Sequence, residues 1–277
     1  MSSTPHRPPY GNNNATSTPS FEPVLHDLAD QSGQVILRYF RAPIAVDEKF
    51  EKGIYDPVTI ADREAEKIMR SLIEERFADH GIIGEEFGNK PSDSPYCWVF
   101  DPIDGTRAFI IGAPTWGTLI GLNKNNQPFH GMMNQPFTRE RFWGGPEGAF
   151  YQRHKDNKIT LTTSSVCDLD KATLASTAPE HISSPQDWQK FSALSDKTRM
   201  TRYGYDCYAY CLLAMGHLDL VAEAGLAIYD IAPLVPIIRA AGGVVTTWDN
   251  NDPTNGGTIL ASANQTLHDK ALAFLAS

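Results

Sequence analysis

Two carboxylates stand three residues apart in the stretch Trp98-Val99-Phe100-Asp101-Pro102-Ile103-Asp104-Gly105-Thr106. The apolar run before them reads as the end of a buried strand. Pro102 has no N–H and a fixed φ, so the strand cannot simply continue. Gly105 permits a turn that a side chain would block. Asp101 and Asp104 then project from one bend, with the Ile103 carbonyl free between them. Three oxygen donors within four residues suit a hard divalent cation such as Mg²⁺. Thr106 follows with a hydroxyl and an N–H at the start of the next element, where an anion can dock. The same string also describes an ordinary turn, because Asp-Pro and Asp-Gly are common turn dipeptides.

Other acids sit at comparable junctions. Asp62 ends the short extended stretch Asp56-Pro57-Val58-Thr59-Ile60-Ala61-Asp62 and opens a helix that runs to His80-Gly81 on apolar positions Ala65, Ile68, Met69, Leu72, Ile73 and Phe77. Either Thr59 or Asp62 can cap that helix, and a cap is the plain alternative to a catalytic role for Asp62. Glu85 and Glu86 end the apolar strand Gly81–Gly84. Adjacent strand residues face opposite ways, so at most one of them points into a site. Asp230, in Tyr229-Asp230-Ile231-Ala232-Pro233, lies near a helix start and reads equally as a cap.

Composition narrows the class. The chain has 277 residues and 41% hydrophobic content, enough for a sizeable core in one large or two ordinary domains. A formal net charge of −9 argues against a nucleic-acid partner, which calls for a basic face. No apolar run approaches the roughly 18 residues of a membrane span. The four cysteines, Cys97, Cys167, Cys207 and Cys211, form no Cys-x-x-Cys pair, which speaks against zinc and fits reduced thiols in a cytoplasmic enzyme.

Three regions are expected. Residues 1–20 are polar, Pro-rich and without the apolar core of a secretory signal, and read as a disordered tail. Residues 21–160 form an α+β part: a helix over 22–41, the helix after Asp62, then strands near 115–122, 130–135, 141–144 and 148–153 whose hairpin-like spacing predicts an antiparallel sheet. Residues 161–277 form an α/β part. Its expected helices are 184–195 (with Trp188, Phe191 and Leu194 on one face), 207–216, 231–241 and the terminal segment from Gln265. Its expected strands are 174–177, 200–204, 218–223, 244–248 and 258–261. Gly242-Gly243 closes the helix before it.

Taken together, Asp56-x-Val58-Thr59-x-x-Asp62, Gly84-Glu85-Glu86, Trp98-x-x-Asp101-Pro102-Ile103-Asp104-Gly105-Thr106, and Asp230-x-Ala232-Pro233 with Ala240-Ala241-Gly242-Gly243 resemble the inositol monophosphatase family of Mg²⁺-dependent, lithium-sensitive phosphatases. The resemblance runs from about residue 24 to the C-terminus, and the ordered co-occurrence of the motifs makes it specific. It implies a layered α-β-α-β-α sandwich, usually a homodimer, with the site between its two parts. It implies that Glu85, Asp101 and the Ile103 carbonyl hold one Mg²⁺, and that Asp101, Asp104 and Asp230 hold a second. A third, weaker Mg²⁺ would sit near Glu85 and Asp62. Asp62 and Thr106, with Glu85, would serve the attacking water, and the N–H groups of Gly105 and Thr106 would hold phosphate oxygens. One departure is Tyr229, where the family usually has Trp.

Within the family, Gly84-Glu85-Glu86-Phe87-Gly88, Tyr203-Gly204-Tyr205-Asp206-Cys207-Tyr208-Ala209-Tyr210-Cys211-Leu212 and Asp219-Leu220-Val221-Ala222-Glu223 look like the histidinol-phosphatase branch. The implied reaction is hydrolysis of L-histidinol phosphate in histidine biosynthesis, with Asp206 and Glu223 receiving the cationic leaving group. A helix cap is the plain alternative for Asp206. Inositol 1-phosphate and a nucleotide 3′-phosphate are alternative substrates. A non-catalytic metal-binding scaffold is the alternative of a different class.

Overall fold

The computed structural model describes residues 20–43, 46–47, 50–51, 54–55 and 58–276. The tail expected over 1–20, apart from Ser20, lies outside the described residues, as do Asp56 and Pro57 of the first motif.

Helix α1 (Glu22–Ile36) buries Leu25, Leu28, Ala29, Val35 and Ile36 on one face. It stops short of the expected Arg41, where φ turns positive at 60°. Two short antiparallel ladders follow: β1 (Val46–Asp47) with β4 (Val58–Thr59), and β2 (Phe50–Glu51) with β3 (Ile54–Tyr55). Helix α2 (Ile60–Arg76) starts at a capping box, with the Thr59 side chain on the Ala61 N–H and Asp62 returning to Thr59.

The first large sheet has eight strands: β5 (Gly81–Gly84), β6 (Gly88–Lys90), β7 (Tyr96–Asp104), β8 (Gly117–Lys124), β9 (Gln127–Gln135), β10 (Glu140–Gly145), β11 (Gly148–Arg153) and β12 (Ile159–Thr160). Their order is β12-β11-β10-β9-β8-β7-β5-β6, and every pair is antiparallel except β5 with β7. A short helix α3 (Thr106–Ile110) follows β7.

The second sheet contains β13 (Thr173–Ser176), β14 (Met200–Tyr203), β15 (Leu220–Leu226), β16 (Val244–Thr247) and β17 (Gly257–Ser262), in the order β14-β13-β15-β17-β16. Its helices are α4 (Pro185–Ser195), α5 (Tyr208–Ala214), α6 (Ile228–Ile231), α7 (Val235–Ala240) and α8 (Gln265–Leu275). The single helix expected over 231–241 is two. Pro233 and Pro236 lack the N–H that a continuous helix needs, so the chain restarts at α7 with Pro236 in its first turn. Trp188 on α4 is 38% exposed and stacks at 5.6 Å on the fully buried Phe191, so it edges the core rather than filling it.

Three apolar layers show the sandwich. Leu25, Leu28, Met69 and Ile73 of α1 and α2 pack on Trp98, Phe100, Ile120 and Leu122 of the first sheet. Leu119, Met133 and Phe142, on the opposite face of that sheet, meet Cys211, Leu213, Ile237 and Ile238 of α5 and α7. Val221, Ile259 and Ala261 of the second sheet close the same layer from beyond. Phe191 and Leu194 of α4 and Leu267, Ala271 and Leu275 of α8 cover the far face against Leu174, Leu220 and Leu260. The order is therefore α-β-α-β-α, and strand residues alternate between layers with the period of two that a pleated sheet imposes.

The middle layer meets the first sheet backbone to backbone at a row of glycines. Gly121, Gly131 and Gly144 are direct cross-strand neighbours on β8, β9 and β10. A Cβ on Gly131 would meet the Pro233 carbonyl oxygen at 1.7 Å, and one on Gly144 would meet the Ile237 Cα at 2.6 Å. This glycine row lets the α6–α7 segment lie directly on the sheet, and Asp230 is carried on that segment.

Candidate active site

Strand β7 does continue through Pro102 as far as Asp104, contrary to the stop expected at the proline. Its pairing with β8 shifts instead: Asp101 faces Leu119 and Asp104 faces Gly117, so β7 carries one extra residue across that interval. This is a β-bulge. In a regular strand, residues three apart face opposite ways. The extra residue puts Asp101 and Asp104 on one side, as the bend read from the sequence requires. Gly105 then turns the chain at φ 84°, and α3 begins at Thr106.

Asp230 joins them from α6. Oxygens of Asp101, Asp104 and Asp230 all lie within 4.8 Å of one another. Asp101 is 2% exposed, and its Oδ1 accepts the Ile103 N–H at 3.0 Å. Asp104 accepts the Cys207 N–H at 2.7 Å, and Asp230 accepts the Ala227 N–H at 2.7 Å. The Ile103 carbonyl accepts the Thr106 hydroxyl at 3.0 Å, which leaves its second lone pair.

Glu85 lines the same cavity and shares a side-chain hydrogen bond with Asp101. Glu86 turns the other way, with its carboxylate 3.7 Å from Arg63, so one of the adjacent acids enters the site and one does not. Asp62 stands behind Glu85, off the cavity wall. Its Oδ2 accepts the Thr59 N–H at 2.9 Å and the Thr59 hydroxyl at 2.5 Å. Asp62 is thus a helix cap whose charge also acts on Glu85. For Asp230 the cap and the site position coincide: it accepts the Ala227 N–H at the start of α6 and brings a carboxylate oxygen to the acidic cluster.

These carboxyls are pressed together. Burial, then the charges of Glu85, Asp104 and Asp230, pushes Asp101 well above the usual carboxylate range. Burial, then Asp230 and Asp62, raises Glu85. Burial and Asp230 push Asp104 up to about 7, and burial pushes Asp62 up to about 7. The charges acting on Asp101 all come from other carboxylates. An all-oxygen, anionic, partly buried donor set of this kind fits a hard divalent cation, which would offset the repulsion.

The cavity extends from this cluster into the second half of the chain, with a volume of about 290 Å³. Asp206, Tyr210, Glu223 and Tyr229 stand on its wall. Asp206 has φ 46° and lies against Gly105, where a Cβ would come within 2.9 Å of its carboxyl carbon. It is not the cap of α5: no side chain caps that helix, and Asp104 takes the Cys207 N–H instead. Burial, then the charges of Asp104 and Glu223, pushes Asp206 up to about 8. Glu223 is 4% exposed and accepts the Thr177 N–H at 2.7 Å and the Tyr210 hydroxyl at 2.7 Å. Burial raises its pKa against those bonds.

The matching family model is that of the inositol monophosphatase family, and it spans residues 20–276. The chain belongs to the inositol monophosphatase family. Among curated relatives, the chloroplastic bifunctional phosphatase IMPL2 of Arabidopsis thaliana is 38% identical over 98% of this chain and 81% of its own length. A histidinol-phosphatase of Mycobacterium tuberculosis is 34% identical over 90% of this chain and 94% of its own length. Among solved structures, an inositol monophosphatase from Zymomonas mobilis superposes with a TM-score of 0.81 at 38% identity, covering 93% of this chain and 99% of that one. As a member of this family the chain is a phosphatase.

Sequence reading missed three features of this inositol monophosphatase family site. Glu66, fully buried, sits four residues after Asp62 on α2. An acid among Ala61, Ala65, Met69 and Ile73, on an otherwise apolar helical face, was the available signal. Arg107 and His181 are in hydrogen-bond contact at the cavity wall, 74 residues apart in sequence. The glycine row under α6–α7 leaves no local pattern, because the contacts that require it come from another element. Among the described residues, no helix is long and apolar enough to cross a membrane.

Proposed function

We propose that this phosphatase hydrolyses L-histidinol phosphate to L-histidinol and phosphate with Mg²⁺ in its site, acting in histidine biosynthesis as a cytoplasmic homodimer. The observation that carries the substrate reading is the second acidic pair. Asp206 and Glu223 line one cavity with Asp101, Asp104 and Asp230, and Asp206 lies against Gly105. A substrate that carries an ammonium beside its phosphate suits a second acidic pair on the same wall, since charge-assisted hydrogen bonds reward that cation.

Glu85, Asp101, the Ile103 carbonyl, Asp104 and Asp230 would hold two Mg²⁺, and a third, weaker one would sit near Glu85 and Asp62. Bound there, the metal supplies Lewis acidity to the attacking water and to the leaving oxygen. The chain does the rest. Glu85, Asp62 and Thr106 would orient the attacking water and Asp62 would take its proton; of the three, Glu85 and Thr106 line the cavity and Asp62 stands behind Glu85. Gly105, the N-cap of α3, and Thr106, its first residue, would present their N–H groups to the phosphate oxygens. Glu223 keeps a free lone pair on the oxygen that faces Tyr210, and with Asp206 it receives the substrate's ammonium or hydroxyl.

A second reading, inositol 1-phosphate, rests on the Zymomonas mobilis structure, whose protein is named an inositol monophosphatase. A neutral polyol would not need the charge of Asp206. A nucleotide 3′-phosphate would favour basic groups where Asp206 and Glu223 stand. Phosphate release from L-histidinol phosphate and inositol 1-phosphate, side by side with Mg²⁺ and with EDTA, tests the proposal. Mg²⁺-dependent preference for histidinol phosphate supports it. Preference for inositol phosphate overturns the substrate and keeps the metal chemistry. No release from either favours the nucleotide or the scaffold reading.

A further inference from the structure

The turn that presents Glu85 is held from beneath by two residues of α2. Glu66 is fully buried and accepts the Glu86 N–H at 2.7 Å on one oxygen. Its other oxygen accepts the Phe87 N–H at 3.3 Å and the Arg70 Nε–H at 2.6 Å. Arg70 continues across the turn, and its terminal N–H donates to the Gly88 carbonyl. Glu85 itself is pinned from the other side, where its N–H meets the Phe100 carbonyl at 3.3 Å. The three-residue turn from Glu85 to Phe87 therefore has its backbone fixed at both flanks, by β7 and by a charged pair on α2.

The glycine before Glu85 belongs to the same device. Gly84 has no unusual φ, so conformational freedom does not explain it. A Cβ there would lie 2.0 Å from the Glu66 carboxylate and 2.7 Å from the Arg70 guanidinium. Glycine is what lets a buried ion pair come down on the backbone beside the site.

A buried carboxylate costs several kcal/mol unless it is paired and fully hydrogen-bonded. Glu66 meets that condition with two backbone N–H groups and one guanidinium. A hydrophobic side chain would fill the same space on α2 without the electrostatic cost, so bare packing does not account for the pair.

We infer that Glu66 and Arg70 are positioning residues that lock the Glu85 turn and thereby set the affinity of the site for its divalent cation. This rests on the reading of Glu85 as a metal ligand. Partners that orient a ligand from behind change metal affinity by about 10- to 100-fold when removed. In Glu66→Gln, one of the three bonds to the turn and helix must go, because an amide cannot accept on both heads. In Arg70→Met, Gly88 is released and Glu66 keeps its two backbone N–H groups but loses its guanidinium.

The test is calorimetric titration of the full chain with MgCl₂ alone, for wild type, Glu85→Gln, Glu66→Gln and Arg70→Met. Thermal melts without metal accompany it, as does phosphate release across a range of Mg²⁺. The expected result is that Glu85→Gln abolishes or severely weakens one binding event, and that Glu66→Gln and Arg70→Met raise its Kd by about tenfold or more. Turnover in the last two should recover toward wild type as Mg²⁺ is raised. If Glu85→Gln weakens binding and both α2 variants keep Kd within about twofold of wild type, the inference is overturned and the ligand reading stands. If Glu85→Gln leaves Mg²⁺ binding unchanged, the ligand reading fails and takes the inference with it. If kcat in the α2 variants stays low at saturating Mg²⁺ while Kd is unchanged, their role is general support of the fold, which also overturns it. Should Glu66→Gln melt below the assay temperature, Arg70→Met, whose side chain is less deeply buried, decides alone.

Discussion

The Asp104 carboxylate accepts the backbone N–H of Cys207 at 2.7 Å. The bond joins the bulge of the first sheet to the residue that opens α5, which ends the segment bearing Asp206. One carboxylate therefore belongs to the acidic cluster and also anchors the wall where the substrate's leaving group is proposed to sit. Asp104→Asn keeps an oxygen acceptor for Cys207 but lowers the charge of the cluster. Its turnover should fall by on the order of 1000-fold, with a melting temperature near that of wild type. Asp104→Ala should be equally inactive and lose about 1 kcal/mol more, the usual net worth of a hydrogen bond. Phosphate release and urea unfolding of both variants separate the two roles, and retained turnover in Asp104→Asn would remove it from the metal site.

Asp206 should matter for charge and not for capping, since no side chain caps α5. Asp206→Ala should raise KM for histidinol phosphate by about 10- to 100-fold, the scale of a charge-assisted bond. KM for an uncharged ester such as a simple alkyl phosphate should change far less. Steady-state kinetics on both substrates check this, and an equal loss on both would make Asp206 structural.

The glycine row under α6–α7 predicts a packing defect with a functional echo. Gly131→Ala places a methyl group onto the Pro233 carbonyl, and neither the sheet nor the helix start can yield cheaply. We expect about 2–3 kcal/mol of lost stability, the range for overpacking against backbone. Asp230 lies three residues before Pro233, so weaker Mg²⁺ binding should accompany the loss. Denaturant titration and calorimetry report the two effects independently.

His268 predicts an acid-side loss of stability away from the site. Its ring is fully buried, with Nδ1 3.0 Å from the Ser262 hydroxyl and Nε2 3.0 Å from the Thr246 hydroxyl. Burial pushes its pKa down to about 4, against a smaller upward pull from Asp269. The unfolded chain protonates this ring near pH 6.5, before the folded chain does. The folded state is therefore favoured fully above that pH, and the advantage drains away as pH falls from 6.5 toward 4. The contribution is on the order of 2 kcal/mol. Urea unfolding at pH 7.5 and pH 5 should show a steeper loss in wild type than in His268→Gln. Equal slopes would show that His268 is not the responsible group.

Much of the site was readable because its chemistry is local. Asp101, Asp104, Gly105 and Thr106 lie within six residues, and Pro102 and Gly105 mark the chain reversal that brings the first two together. The reading erred on how: it expected Pro102 to end the strand, whereas β7 absorbs the proline in a bulge and runs on to Asp104. It also set cap against ligand for Asp230, which accepts the Ala227 N–H at the start of α6 and still brings a carboxylate oxygen to the cluster.

The sequence by itself determined the family, the alternation that makes two sheets, and the residue types that make a hard-cation site, because periodicity and short motifs are written along the chain. Only the tertiary structure decided which distant groups share that site. The Asp104–Cys207 bond, Glu66 beneath the Glu85 turn, the contact of Arg107 with His181, and the glycine row under Pro233 each join different elements. Such contacts are set by how layers stack and by which backbone comes within hydrogen-bonding reach. That is a property of packing in three dimensions, and spacing along one strand or helix does not encode it.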